Sequence, residues 1–361
     1  MALETMKMKI QTDVPLAPLT TMKIGGRARF FMTIDNHTEV ADAINFADAE
    51  GLDLFVLGGG SNVLISDEGF DGLVIHLRMQ GVSVIAKDEA RVFLRVEAGA
   101  DWDAFVAFCV ERHLAGIECL SGIPGKVGAT PIQNVGAYGQ EVSETIVKVT
   151  AFDKLEKKVV ELKNDECGFG YRSSIFNTVY KDRFIILDVV FCLVENGLPK
   201  ISYKDLIEFF DGSKPDLKKT REAVIEIRRR KAMVIDERDP NSRSCGSFFK
   251  NPIVTADELE ELKKIFARDA EVTIPAFPME NGKFKISAAW LIEKAGFQRG
   301  YRMGNVGISE KHSLAIVNLS NASASEVIKL KNLIQTKVRE KFGIDLIPEP
   351  VFIGFKDSLS I

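Results

Sequence analysis

The residues of this chain best suited to chemistry lie in two glycine-rich runs. In the first, Gly58, Gly59 and Gly60 follow an apolar, strand-like stretch and lead into Ser61 and Asn62. The second covers residues 119–139 and carries Gly122, Gly125, Gly128, Gly136 and Gly139 among small residues that are uncharged except for Lys126. A backbone with so few side chains can lie against a flat ligand and aim N–H groups at its oxygen and nitrogen atoms. The strand-to-glycine arrangement of the first run suits a diphosphate. Each run alone also reads as a tight turn. Neither fits G-x-G-x-x-G, so a Rossmann dinucleotide site is not indicated.

Four other places carry polar groups in unusual company. Arg172 sits among small hydroxyl residues and aromatics over 170–176, and reads equally as a capping arginine. Ser247 lies in Cys245-Gly-Ser-Phe-Phe-Lys-Asn-Pro252, which also reads as a strand end with its turn. Glu349 is held between Pro348 and Pro350, where a fixed acid could move a proton or could simply be solvated. The cluster Arg228-Arg-Arg-Lys231 closes a predicted helix. It suits either the helix C-terminal dipole or a phosphate. A serine-protease arrangement is not indicated, since there is no G-x-S-x-G.

Composition narrows the function classes. The chain has 361 residues, enough for two or three domains, with 46% hydrophobic and 27% charged residues, as in an ordinary soluble globular protein. A net charge of −4 argues against nucleic acid as a main partner. The five cysteines (109, 119, 167, 192 and 245) form no C-x-x-C pair and their odd number fits no disulfide framework. Four scattered histidines show no metal-ligand spacing. The first residues lack the apolar core of a signal peptide, and no segment approaches the ~20 apolar residues of a membrane span. A reduced, cytoplasmic setting follows as the expectation.

The elements that must position these groups read as α+β rather than regular βαβ alternation. Alternation over 28–34 predicts a strand, followed by a helix over about 40–50 and the strand into the triple glycine. Strands are expected at 92–96 and 184–191, with an amphipathic helix over about 102–112. A helix over 214–231 leads to a loop at 234–243. Beyond it, helices are expected at 255–268, 287–295 and 323–342, with strand-like pieces at 245–249 and 314–318.

Taken in order, the strings LGGGSN, SGIPGKVGATPIQNVGAYGQEV, YRSSIF, GSFFKNP and SAAWLIEKAGF resemble the UDP-N-acetylenolpyruvoylglucosamine reductase family over residues 18–354. The resemblance implies an FAD enzyme that makes UDP-N-acetylmuramate for peptidoglycan, with NADPH as hydride donor; since both glycine runs lack a tethering side chain of the usual kind, the flavin is expected to be held without a covalent bond. It implies a two-lobed FAD-binding domain of the vanillyl-alcohol-oxidase type at 18–198, with lobes at 18–77 and 78–198. A connecting segment at 199–244, an α+β substrate-binding domain at 245–345 and a C-terminal strand segment at 346–361 would follow. Gly58, Gly59, Gly60, Ser61 and Asn62 would hold the FAD diphosphate. The flavin ring and ribityl chain would fall to Ser121, Gly122, Ile123, Pro124, Gly125, Gly128 and Ala129, and then to Gln133, Asn134, Gly136, Ala137 and Tyr138. Arg172, Ser247 and Glu349 match the catalytic positions. Tyr203, Lys231 and Asn251 match positions that contact the UDP-sugar; no metal, nucleic acid or membrane partner is implied.

The chain departs from the family pattern in places. The terminal motif reads Pro348-Glu-Pro-Val351 where P-E-V-R is commoner, and the stretch between Lys231 and Ser247 is acidic and long. Residues 309–314 resemble one subtype and Tyr203 the other, so the subtype stays open. An FAD-dependent sugar or alcohol oxidase of the same fold is the alternative. Such oxidases often tether the flavin through a histidine, and residues 57–63 contain none; Cys119, just before the second run, could serve as a tether but also reads as a buried structural thiol. A nucleotide-sugar binding module without catalysis would be expected to lack one of Arg172, Ser247 and Glu349, and all three are present.

Overall fold

In the computed structural model the described residues are 9–266, 272–279 and 282–356. Residues 267–268 of the expected 255–268 helix and 357–361 of the C-terminal segment lie outside them. The chain divides into two units. The first takes the chain up to Pro15 with Arg27–Gly60 and Phe70–Val234; the second takes Leu16–Gly26, Ser61–Gly69 and Ile235–Ile361. Helices and strands are mixed in both, so the fold is α+β.

In the first unit the alternation at 28–34 becomes the strand Arg27–Ile34, which buries Ala28, Met32 and Ile34. It pairs antiparallel with Gln11–Pro15 and parallel with Phe70–Leu77, and Asp53–Leu57 adds in parallel beyond. Parallel neighbours need a crossover, and helix α1 (His37–Ala49) is part of it. The Asn36 side chain caps α1 by accepting the Glu39 N–H. Asp53–Leu57 then delivers the chain directly into Gly58–Gly60.

A six-stranded sheet forms the other half of this unit. Its most buried member, Phe184–Glu195, lies between Ile146–Asp153 and Arg91–Glu97, all antiparallel. Helix α2 (Trp102–Glu111) buries Trp102, Phe105, Val106, Cys109 and Val110, the spacing of one helical face. The Phe105 and Trp102 rings stand 5.1 and 5.9 Å from Phe191 of the central strand. The Trp102 indole N–H donates to Leu120 O at 3.1 Å, which ties α2 to the start of the second glycine run. Two further helices follow: α3 (Lys204–Phe210), which the pattern did not announce, and α4 (Leu217–Arg230). Helix α3 has seven residues and no side-chain cap at Tyr203, so neither length nor capping marks it in the sequence. Asp216 accepts from Lys219 N and fixes the start of α4 three residues later than expected.

In the second unit α5 (Ala256–Ile265), α6 (Ala288–Lys294) and α7 (Ala324–Phe342) match their expected positions. Ser323 and Glu326 form a capping box on α7, and the Asp67 carboxylate accepts from Ala324 N and Ser325 N at 2.6 and 3.0 Å. Val351–Ile353 pairs in parallel with Val63–Ile65. The strand-like reading of 245–249 is corrected. Gly246 has φ 74° and breaks the extended run. Phe248 N bonds to Leu314 O while Lys250 N bonds to Ile347 O, so alternate N–H groups, which a regular strand would aim at one neighbour, serve different partners.

One buried charge yields a prediction. Asp188, 3% exposed, lies on the central strand opposite Glu97 and accepts from Thr150 Oγ1 at 3.0 Å. Burial is the strongest influence on it and pushes its carboxyl above the ordinary range, against the Thr150 hydrogen bond and the Arg95 charge. A folded-state pKa above the unfolded one stabilises the protein below the unfolded pKa, and that contribution is lost as pH rises through the folded value. Asp188→Asn keeps an acceptor for Thr150 without the charge. Calorimetry should show it melting above the wild type near about pH 7.5 and level with it near about pH 4. An equal shift at both would assign the effect to packing instead.

Candidate active site

The first unit contributes two bare backbones that meet. A Cβ on Gly59 would lie 2.7 Å from Gly125 Cα, and one on Gly128 would lie 2.6 Å from Ala98 Cβ. Neither contact is compatible with a side chain. Gly122, at φ 70°, is held from both ends. Its N–H donates to Asp103 at 2.6 Å and its carbonyl accepts from Arg228 Nε at 3.2 Å. Arg221 grips the same Asp103 carboxylate through two bonds of 2.6 and 2.8 Å. Burial works against ionisation of Asp103, but Arg221 and the Gly122 N–H outweigh it and hold the carboxyl below its usual range.

Several N–H groups of the second run serve the protein rather than a ligand. Gly122 N is engaged by Asp103, Gly128 N by Ala98 O and Ala129 N by Lys126 O. These residues therefore set contact distance instead of donating. The Ser121 hydroxyl bonds to Glu118 O at 2.6 Å. Asn134, buried and at φ 45°, uses its amide to reach Glu141 and Gly170 O, joining the second run to the Arg172 segment.

Arg172 occupies a tight turn closed by Gly170 N to Ser173 O at 2.9 Å and the reverse bond at 3.2 Å. Its backbone is left-handed, φ 53°, which costs a non-glycine residue about 1–3 kcal/mol. The guanidinium donates to Gly136 O at 2.7 Å, and a Cβ on Gly136 would crowd Nη1 at 3.3 Å. The same Cβ would meet Glu141 Cγ at 2.8 Å and Gln140 O at 3.0 Å, so glycine at 136 serves the close packing of the run as well as the arginine.

The basic cluster at the end of α4 separates by role. Arg228 is partly buried, with Nη2 on Met233 O at 2.8 Å, and desolvation lowers its pKa. Arg230 pairs with Glu226 on the surface. Lys231 Nζ lies 2.5 Å from Asp205 Oδ2, in the first turn of α3. Tyr203, at the head of α3, meets Tyr138 edge-to-face with centroids 5.5 Å apart. Burial raises the pKa of both phenols.

The second unit assembles the other candidates. Ser247 Oγ lies 3.3 Å from His312 Nε2. The adjoining Phe248 carbonyl accepts from Glu349 N at 2.9 Å, and Asn62 Nδ2 donates to Glu349 O at 3.3 Å. The end of the first glycine run, Ser247 and Glu349 are therefore stitched together by backbone, although 65 residues separate Ser247 from His312 and 287 separate Asn62 from Glu349. His312 was missed as a partner of the serine; its only signal was its place in the 309–314 string. Asn251 Oδ1 accepts the Ala288 N–H at 2.9 Å and so caps α6. Cys119 is fully buried, its thiol donating to Lys200 O, and burial pushes its pKa well up. No His/Cys/Asp/Glu group suited to a metal occurs among the described residues.

The donor set fits a flavin dinucleotide: two glycine backbones in contact, a strand end leading into one of them, and a cation fixed to the other. Comparison with known proteins agrees. Residues 28–162 match an FAD binding domain, and residues 239–353 match the UDP-N-acetylenolpyruvoylglucosamine reductase C-terminal domain. The reductase of that name from Thermobifida fusca is 46% identical over 348 residues, covering 95% of this chain and 97% of that protein. The one from Streptomyces coelicolor is 43% identical, covering 95% and 90%. The crystal structure of the Thermus caldophilus reductase superposes with a TM-score of 0.66 at 25% identity, covering 95% of this chain and 98% of that one. With this identity spanning nearly the whole chain, the protein belongs to the UDP-N-acetylenolpyruvoylglucosamine reductase family of FAD-dependent oxidoreductases.

Proposed function

We propose that this chain reduces UDP-N-acetylenolpyruvoylglucosamine to UDP-N-acetylmuramate for peptidoglycan precursors, in the cytoplasm, with NADPH as electron source and FAD held non-covalently. The observation that carries the mechanism is Ser247: a half-buried hydroxyl against His312, one residue from the carbonyl that fixes Glu349. Among the described residues no helix is long and apolar enough to cross a membrane.

Bound FAD supplies hydride chemistry. Addition at the terminal carbon of the enolpyruvyl group drives electron density into the substrate carboxylate. Arg172 stabilises that charge with planar, fixed donors whose position the strained turn and Gly136 determine in advance. Glu349 shares a proton with the same carboxylate. The Ser247 hydroxyl delivers the proton to the neighbouring carbon on one face, and His312 orients the hydroxyl and replaces its proton. Lys231 and Tyr203 hold the nucleotide sugar, and Asn251 adds a contact from its amide while its carbonyl caps α6.

Three measurements test this. Acid precipitation should release FAD into the supernatant and leave a colourless pellet; a yellow pellet would implicate Cys119 as a tether. In anaerobic stopped-flow, Ser247→Ala should keep flavin reduction by NADPH near the wild-type rate. Its re-oxidation by the enolpyruvyl substrate should slow by roughly 10²–10⁴-fold, with partial recovery in Ser247→Cys. Equal slowing of both half-reactions would mean the flavin site itself was disturbed. Removal of the Lys231 cation in Lys231→Ala should raise KM for the sugar nucleotide roughly ten- to hundredfold. An unchanged KM would reduce Lys231 to the partner of Asp205.

A further inference from the structure

Lys126 is the only charged residue in either glycine run. Its stem lies across the first of them: a Cβ on Gly58 would stand 3.9 Å from Lys126 Cβ and 4.0 Å from Cγ. Its backbone bridges to Asp101, while its ammonium stands 3.7 Å from Asp101 Oδ2, beyond hydrogen-bond length. The other oxygen of that carboxylate is engaged at 3.0 Å by Ala104 N as the cap of α2. The lysine side chain is 23% exposed and Asp101 53%, so the cation is the more enclosed member of a loose pair.

The charge reaches the strand that enters the first run. His76 is the register partner of Leu57, the residue before Gly58. Burial first, then the Lys126 charge, lowers the His76 pKa and favours the neutral ring. His76 therefore adds no full positive charge beside the first run. Glycine N–H groups offer partial charges only, whereas a dinucleotide diphosphate carries two full negative charges.

We propose that Lys126 binds the diphosphate of FAD as its cationic contact, with Asp101 as a loose tether that keeps the ammonium over Gly58. The proposal rests on the reading that Gly58–Gly60 hold that diphosphate. It adds a side chain whose charged end is held by the loose Asp101 pair, whereas the Asn134 amide is already taken up by Glu141 and Gly170 O.

The test is dilution of holoenzyme, following free FAD by its fluorescence at several salt concentrations. Lys126→Gln should raise the FAD Kd about ten- to hundredfold and flatten its dependence on salt, because a screened charge contact has been removed. Lys126→Arg should restore both. An unchanged Kd in Lys126→Gln, or a raised Kd with the wild-type salt dependence, would overturn the proposal, the latter by showing that the lysine only shapes the loop. Gly58→Asp tests the underlying reading separately. The nearest atom to a Cβ there is 3.8 Å away, so the side chain has room. A carboxylate at that point should expel a diphosphate and leave the variant largely free of FAD. If Gly58→Asp retains FAD as tightly as the wild type, the diphosphate lies elsewhere and the reading fails. If it loses FAD while Lys126→Gln does not, only the role of the lysine fails.

Discussion

Gly59 and Gly125 approach so closely that a single added carbon on Gly59 would have to sit 2.7 Å from a backbone atom. Backbone on both sides of such a contact cannot move aside as a flexible side chain can. The meeting of the two runs therefore depends on hydrogen atoms standing where other residues carry side chains. The strand Asp53–Leu57 aims the first run and the Trp102–Leu120 bond anchors the second. Their contact turns two separate loops into one surface of exposed peptide. Placement of the Lys126 stem over Gly58, one residue from each member of that contact, follows from it.

A surface of bare backbone is soft unless something outside it supplies rigidity. Here partly buried charge does so. Asp103 takes the Gly122 N–H and two bonds from Arg221, and Arg228 takes the Gly122 carbonyl. Hydrogen bonds to charged groups contribute about 1.5–3 kcal/mol each, and leaving one partner unpaired costs at least as much. The peptide at Gly122 is thus fixed at both its polar ends. The same helix that supplies Arg221 and Arg228 ends at Lys231, so the group proposed to meet the nucleotide sugar and the groups that hold the second glycine run share one rigid element.

Much of this was legible and some was not, for reasons that differ by residue. Helix α7 announced itself through Ser323-x-x-Glu326 and a regular buried face, because capping and periodicity are local properties. Gly58–Gly60 and Arg172 stood out as residue types in context, and the structure places the first at the end of a strand and the second in a tight turn. The Ser247–His312 contact was not, since nothing in a linear string pairs residues 65 apart. The 245–249 piece looked like a strand because its residues are apolar and extended in type, yet Gly246 at φ 74° and a change of partner between Phe248 and Lys250 prevent a ladder. Helix α3 left no mark because its start has no side-chain cap and it is only seven residues long.

The backbone of Arg172 gives the strongest physical link between architecture and chemistry. A left-handed arginine is disfavoured by sterics, and glycine at that turn position would remove the strain. The strain persists because the Gly170–Ser173 bonds, the Asn134 amide on Gly170 O and the Gly136 carbonyl under the guanidinium all specify the same conformation. Those contacts also remove most of the freedom an arginine side chain would otherwise lose on meeting a ligand, about 2 kcal/mol of rotamer entropy. A cation fixed before charge develops needs no reorganisation when it does. The strained turn therefore exchanges a small loss of stability for a guanidinium already held in place, which is what the proposed stabilisation of a transient negative charge requires.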